Sequence, residues 1–184
     1  MPVPRKVPEA KVKPEMGKPI SQIQWPPTFT GTTYIGVDPG VSGGLARIDP
    51  LGKVTAIKMP ETERDVWEWF RLAGTSTTHA VIEQVGGFVG KDQPGSAMFK
   101  FGQGYGILRM ALIAARIPFE QAMPQKWQKA LGCPTRKKTD TRTVWKNKLK
   151  AHAQQIFPEM EVTLAIADAL LIVEYCRRLR EGKL

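Results

Sequence analysis

A chain of 184 residues with 42% hydrophobic side chains has the length of one domain and enough apolar material for a sizeable core. Its net charge of +10 and pI near 9.8 point to an anionic partner, nucleic acid being the commonest, with a merely solvated basic surface as the ordinary alternative. No run approaches the roughly 20 apolar residues of a membrane helix, and no secretory apolar core follows the N-terminus. Cys133 and Cys176 lack the paired spacing of a zinc site or a disulfide framework. These exclusions predict a soluble intracellular protein with reduced thiols, no membrane partner and no small-molecule cofactor.

Residues 1–30, rich in Pro and Lys without a periodic apolar pattern, predict a disordered basic arm ahead of a single domain over residues 31–184. Three strand-like runs follow, "TYIGVD", "GLARID" and "KVTAIKM", joined by Gly- and Pro-containing turns, which makes an antiparallel meander. "ERDVWEWFRLAG" has helical spacing, with Val66, Trp69 and Phe70 on one face. "HAVIEQV" is a short, central buried strand.

A glycine-rich loop, "GGFVGKDQPG", leads into a long helix, "SAMFKFGQGYGILRMALIAARI". Gly102, Gly104 and Gly106 each weaken that helix by about 1 kcal/mol relative to Ala, so close approach by the sheet or by DNA is expected to compensate. "IPFEQAM" supplies a fifth strand, and "PQKWQKALG", "DTRTVWKNKLKAHAQQIF" and "TLAIADALLIVEYCRRLR" are read as helices. Strands in a meander that give way to alternating helix and strand predict an α/β fold, a mixed five-stranded sheet with helices on both faces.

Three acids stand where acids are costly. Asp38 ends the first strand, Glu83 lies in "AVIEQV", and Asp168 is embedded in "LAIADALLIV". Each has an ordinary explanation, as a turn aspartate, a strand-edge glutamate and a helix-surface acid. A buried carboxylate must however be neutralised, paired or ligated, and three that converge would form an all-oxygen site suited to Mg²⁺ or Mn²⁺. Two such ions could drive phosphodiester hydrolysis.

In this order, "IGVDPGVSGG", "VIEQV", "FKFGQGYG" and "ADALLIVEYCRR" resemble the RuvC-type Holliday junction resolvases of the ribonuclease H-like superfamily, the phage-encoded and chloroplast members most of all. The resemblance spans Tyr34 to Arg178. It implies a ribonuclease H-like fold and a homodimeric, Mg²⁺- or Mn²⁺-dependent endonuclease that cuts four-way DNA junctions symmetrically, in the cytoplasm of a bacterial or phage-infected cell. Asp38, Glu83 and Asp168 would be its metal ligands. The family usually supplies a fourth acid three or four residues before the last, where this chain has Ala165 and Leu164. Either three acids suffice, or Asp140 or Glu161 reaches in, or activity is impaired and the protein binds junctions with weak or no cleavage.

Arg136 to Lys150 carries seven basic residues against one acid, Asp140. Arg142 and Lys146, four apart on a helix, with Lys137 and Lys138 in the loop before it, form a candidate phosphate-binding stripe. The resemblance adds that Lys137 and Lys138 would steady the scissile phosphate, Lys138 being a candidate catalytic residue. Phe88 and Lys91, in the loop after Glu83, are candidates to probe the junction centre. Gln103 and Tyr105 are candidate polar DNA contacts, while Phe99, Phe101 and Met110 are assigned to the core or a dimer interface, a symmetric dimer being suited to two symmetric cuts. An actin-like phosphotransferase also begins with an acid-and-glycine turn, but it needs a second such half, which this sequence lacks.

Overall fold

In the computed structural model, which describes residues 31–74, 77–86 and 95–184, the strands form one five-stranded sheet. Strand β1 (Thr33–Asp38) pairs antiparallel with β2 (Gly44–Ile48), which pairs antiparallel with β3 (Val54–Lys58). On its other side β1 runs parallel to β4 (Thr78–Glu83), and β4 runs parallel to β5 (Phe119–Ala122), giving the order β3-β2-β1-β4-β5. The mixed sheet is the one predicted. The basic arm and two candidate DNA contacts, Phe88 and Lys91, lie outside the described residues.

Two cores follow from strand alternation, one on each face. Ile35, Val37, Leu45, Ala80 and Ile82 face helices α1 (Glu63–Ala73) and α2 (Gly95–Ala114). Ala46, Ile48 and Val81 face α3 (Pro124–Ala130), α4 (Arg142–Ile156) and α5 (Ala167–Arg180). Helix α1 starts where Thr62 accepts the Asp65 amide, with Glu63 and Asp65 favouring the positive helix end. At the start of α4, Thr141 accepts the Val144 amide in the same way.

The last helix is the centre of one core. Residues 167–176 are all buried, so α5 is enclosed on every side and its sequence reads as a nearly unbroken apolar run. Residues 164–166 form a turn instead of the predicted first helical turn, which puts Asp168 at the start of α5. Where α5 crosses β1, a Cβ on Gly36 would stand 2.3 Å from the Val173 nitrogen and 2.4 Å from the Ala169 carbonyl oxygen, so only glycine lets the backbones meet.

Helix α2 departs from expectation. A Cβ on Gly102, Gly104 or Gly106 would meet nothing within 4 Å, so no sheet approach compensates for them within the described chain. Phe99 and Met110 are 66% and 58% exposed, and only Phe101 packs inward, against the turn at Gly40. Arg116, in the left-handed region, ends the helical segment before β5.

The close approach at Gly36 makes a testable claim. Gly36→Ala should destabilise the protein by roughly 3 kcal/mol in urea unfolding, because both atoms it meets are helix backbone. Gly104→Ala, which meets open space, should change stability by about 1 kcal/mol or less in the stabilising direction. Equal destabilisation at both positions would contradict the placement of α5 on β1.

Candidate active site

The parallel pairing of β1 with β4 decides where the first two acids stand. Pairs run from Thr33↔Thr78 to Val37↔Ile82, so one step further Asp38 and Glu83 end adjacent strands at the same edge of the sheet. Alternation turns both toward the α5 face, since Gly36 and Val81 already face that side. The carboxyl ends of parallel strands, where neighbouring connections diverge, are the usual place for a site in such sheets.

Asp168 reaches the same edge from the first turn of α5, where the positive end of the helix dipole favours a carboxylate. Gly43 keeps the space beside Asp38 clear, because a Cβ there would stand 2.1 Å from the Asp38 carbonyl oxygen and 3.2 Å from its carboxyl carbon. Gly40, at φ +111°, makes the turn between β1 and β2 that returns the chain to this point. Thus the glycines after Asp38 shape the turn and the site together.

The acids influence one another. Burial first, then Asp168 and Glu83, raise the Asp38 carboxyl well above the usual carboxylate range, with Lys146 pulling the other way. Glu83 is pushed up to about 7, first by burial and then by Asp168, against the pull of a Trp127 hydrogen bond and of Lys146. Two side chains neutralise part of this charge. Trp127 Nε1, on a fully buried ring of α3, donates to Glu83 Oε2 at 3.0 Å. Lys146 Nζ, from α4, makes a hydrogen-bonded ion pair with Asp168 Oδ2. Burial alone would lower the Lys146 pKa, but Asp168, with Asp38 and Glu83 behind it, outweighs burial and raises it.

The remaining Asp168 oxygen, Oδ1, is buried without a hydrogen-bond partner among the described residues. Such an orphaned carboxylate oxygen, beside two further carboxylates, fits a hard divalent cation. Even so, among the described residues no three His, Cys, Asp or Glu side chains are arranged to hold one ion between them. The indole on Glu83 and the ammonium on Asp168 take one oxygen of each of those acids.

The basic segment divides in two. Arg142, Lys137 and Lys138 are exposed, but Lys146 is turned inward to Asp168 and does not share an exposed stripe with Arg142. Neither candidate for a fourth acid takes part. Asp140 accepts the Lys137 amide at 2.8 Å and Lys148 Nζ at 2.9 and 2.8 Å, which pin the loop to α4 and lower its pKa. Glu161 is exposed. Gln103 is exposed on α2, whereas Tyr105 is half-buried, donating to Gln121 Oε1 at 2.7 Å with the Arg109 guanidinium over its ring.

Sequence reasoning did not single out Trp127, although a buried indole always needs an acceptor for its N–H. Cys133, whose thiol is raised to about 12 by burial and by Asp168, also borders the site and stays protonated.

The raised pKa of Glu83 has a definite sign. In chelator, the folded state binds a proton at Glu83 more tightly than the unfolded state, so this group stabilises the fold at low pH. That contribution is lost as pH rises from 4.5, the unperturbed value, to about 7. Glu83→Gln should therefore gain stability relative to the wild type between pH 5 and 8, by up to roughly 3 kcal/mol in urea unfolding. A difference that stays flat with pH would contradict a buried, repelled Glu83.

No protein-family model matches the chain, and no curated protein sequence does. Solved structures do match. One is a Thermus thermophilus RuvC structure, 18% identical, covering 82% of this chain and 97% of that one at a TM-score of 0.56. Another is T. thermophilus RuvC in complex with Holliday junction substrate, 18% identical, covering 83% and 97% at a TM-score of 0.57. At this identity the likeness is one of fold: the chain shares with these structures its mixed five-stranded sheet with helices on both faces.

Proposed function

We propose that the protein is a metal-dependent, structure-selective DNA endonuclease that resolves four-way junctions by paired symmetric phosphodiester hydrolysis. The observation that carries the reading is the placement of Asp38 and Glu83 on adjacent strand ends with Asp168 above them, on a RuvC-like fold. Asp38, Glu83 and Asp168 would hold Mg²⁺ or Mn²⁺, entering through the orphaned Asp168 Oδ1. A hard cation there supplies Lewis acidity toward the scissile phosphate and lowers the pKa of a bound water.

The chain's own residues do the rest. Lys137, Lys138 and Arg142, all exposed, bind backbone phosphates, with Lys138 assigned to the phosphate to be cut. Gln103 offers an amide to the same ligand from α2, and Phe88 and Lys91 are assigned to the junction centre. The exposed side chains Phe99, Met110 and Ile113, with Gly102 and Gly106 between them, form one stripe of α2 at steps of three and four residues. We assign that stripe to the interface of a homodimer, which gives two active sites related by a two-fold axis.

One observation favours a second reading, a junction-binding protein with weak or no cleavage. Two of the three acids already hold partners, and no described fourth acid joins them.

Incubation with a mobile four-way junction and with linear duplex, each with Mg²⁺, Mn²⁺ or chelator, separates the two. The nuclease reading predicts paired nicks confined to the junction that need metal, and a fall in their rate of at least about 10³-fold in Asp38→Asn and Glu83→Gln with binding retained. Junction binding without nicks in either metal would establish the second reading instead. Replacing Lys137, Lys138 and Arg142 by Ala should weaken binding and lower the salt slope by roughly 1 for each phosphate released from the interface. An unchanged slope would remove them from the interface.

A further inference from the structure

A groove lies at the end of the sheet opposite Asp38, where β1 begins and α5 ends. Two adjoining hollows of about 410 and 430 Å³ make it up, and they share Gly52, Val54, Ile156 and Phe157. Its floor is apolar: Tyr34, Val54, Ile156 and Met160 pack against the core beneath and remain partly exposed. One side chain fixes each wall. Asp49 Oδ1 accepts the Leu51 and Lys53 amides at 2.9 Å, which holds the turn between β2 and β3. Gln154 ties down the loop after α4, donating to the Met160 carbonyl at 2.7 Å and accepting the Val162 amide at 3.2 Å. A groove held in this way loses little conformational freedom when it is filled.

The buried charge at one end of the groove, Glu174, is already taken by Arg177 and Arg178, so what the groove lacks is an apolar cover. The neighbouring stretch of chain has that character. Every charged side chain of residues 1–30 lies within residues 1–19, whereas residues 20–30, "ISQIQWPPTFT", hold Ile20, Ile23, Trp25 and Phe29 without a charge. Chain geometry delivers this segment to the groove. Thr32 lines it, and Gly31, at φ +137°, runs so close to its wall that a Cβ would stand 2.6 Å from the Pro50 Cβ. The pairing Tyr34↔Ile48 and Ile48↔Val54 puts Val54 two strands from Tyr34, roughly 10 Å away. The residues from Trp25 to Gly31, extended, cover up to roughly 20 Å, enough to set the indole over Val54 and Ile156.

We propose that residues 20–30 dock into this groove of their own chain, seating Trp25 and Phe29 on Tyr34, Val54, Ile156 and Met160. Pro26 and Pro27 between the two aromatics suit the role. They have no amide proton for an apolar floor to leave unpaired, and their restricted backbone gives up little freedom on docking. The basic arm then narrows to residues 1–19, tethered at the end of the sheet away from Asp38, and the acids stay uncovered. The docking is independent of the nuclease reading.

The test puts the photo-crosslinker p-benzoylphenylalanine in place of Lys53, an exposed residue of the groove wall, in the full chain. A mixture of ordinary and ¹⁵N-labelled protein is irradiated, and the crosslinked peptides are identified by mass. The expected product joins residue 53 to residues 20–30 of the same chain. Trp25→Ser combined with Phe29→Ser should lower its yield at least about fivefold, because the buried aromatic surface is lost. A yield indifferent to these substitutions would mean that tethering alone brings the segment near, and would overturn the proposal. Products joining a labelled to an unlabelled chain would give the groove to a second copy and overturn it equally. So would the absence of any product between residue 53 and residues 20–30.

Discussion

The backbone contact between α5 and β1 at Gly36 governs the rest of this structure. A helix that rests on a strand with no side chain between them is fixed in height and direction, and its neighbours along the chain are fixed with it. Asp168 directly precedes Ala169, which with Val173 meets Gly36, so its position over the ends of β1 and β4 is a consequence of that contact. The same burial that makes α5 stable removes water from the acids. Desolvation is the first cause of the raised pKa at both Asp38 and Glu83, which means that the fold itself creates the demand for positive charge.

How that demand is met separates what could be read in the sequence from what could not. Hydrophobic alternation revealed the meander, the central strand and the two-faced sheet, and the misfit of three acids in apolar surroundings revealed the candidate site. Local pattern singles out Asp38, Glu83 and Asp168 because each is anomalous in its own segment. Lys146 and Trp127 are not anomalous. A lysine four residues after an arginine on a basic helix looks like part of a surface stripe, and only the packing of α4 against α5 turns it inward. The boundary at Ala167 was equally hidden, since residues 164–166 continue the apolar run while the backbone forms a turn.

The glycines of α2 show the opposite case. Their low helix propensity demanded a neighbour, but the described chain supplies none, and Phe99, Met110 and Ile113 on the same helix lie exposed. That face is the one assigned above to the proposed homodimer interface. The net charge of +10 is carried in part by the exposed Lys137, Lys138 and Arg142. Under the proposed function, such basic residues would draw a polyanion toward carboxylates that otherwise repel it.

The central proposal is that Asp38, Glu83 and Asp168, which converge at one end of the sheet, together bind a divalent cation. Replacing Mg²⁺ by Fe²⁺ and generating hydroxyl radicals with ascorbate and peroxide would cut the polypeptide near the bound ion. The account predicts three clusters of cuts, close to residues 38, 83 and 168, that excess Mg²⁺ suppresses together. Cuts at other positions, or at only one of the three, would contradict it.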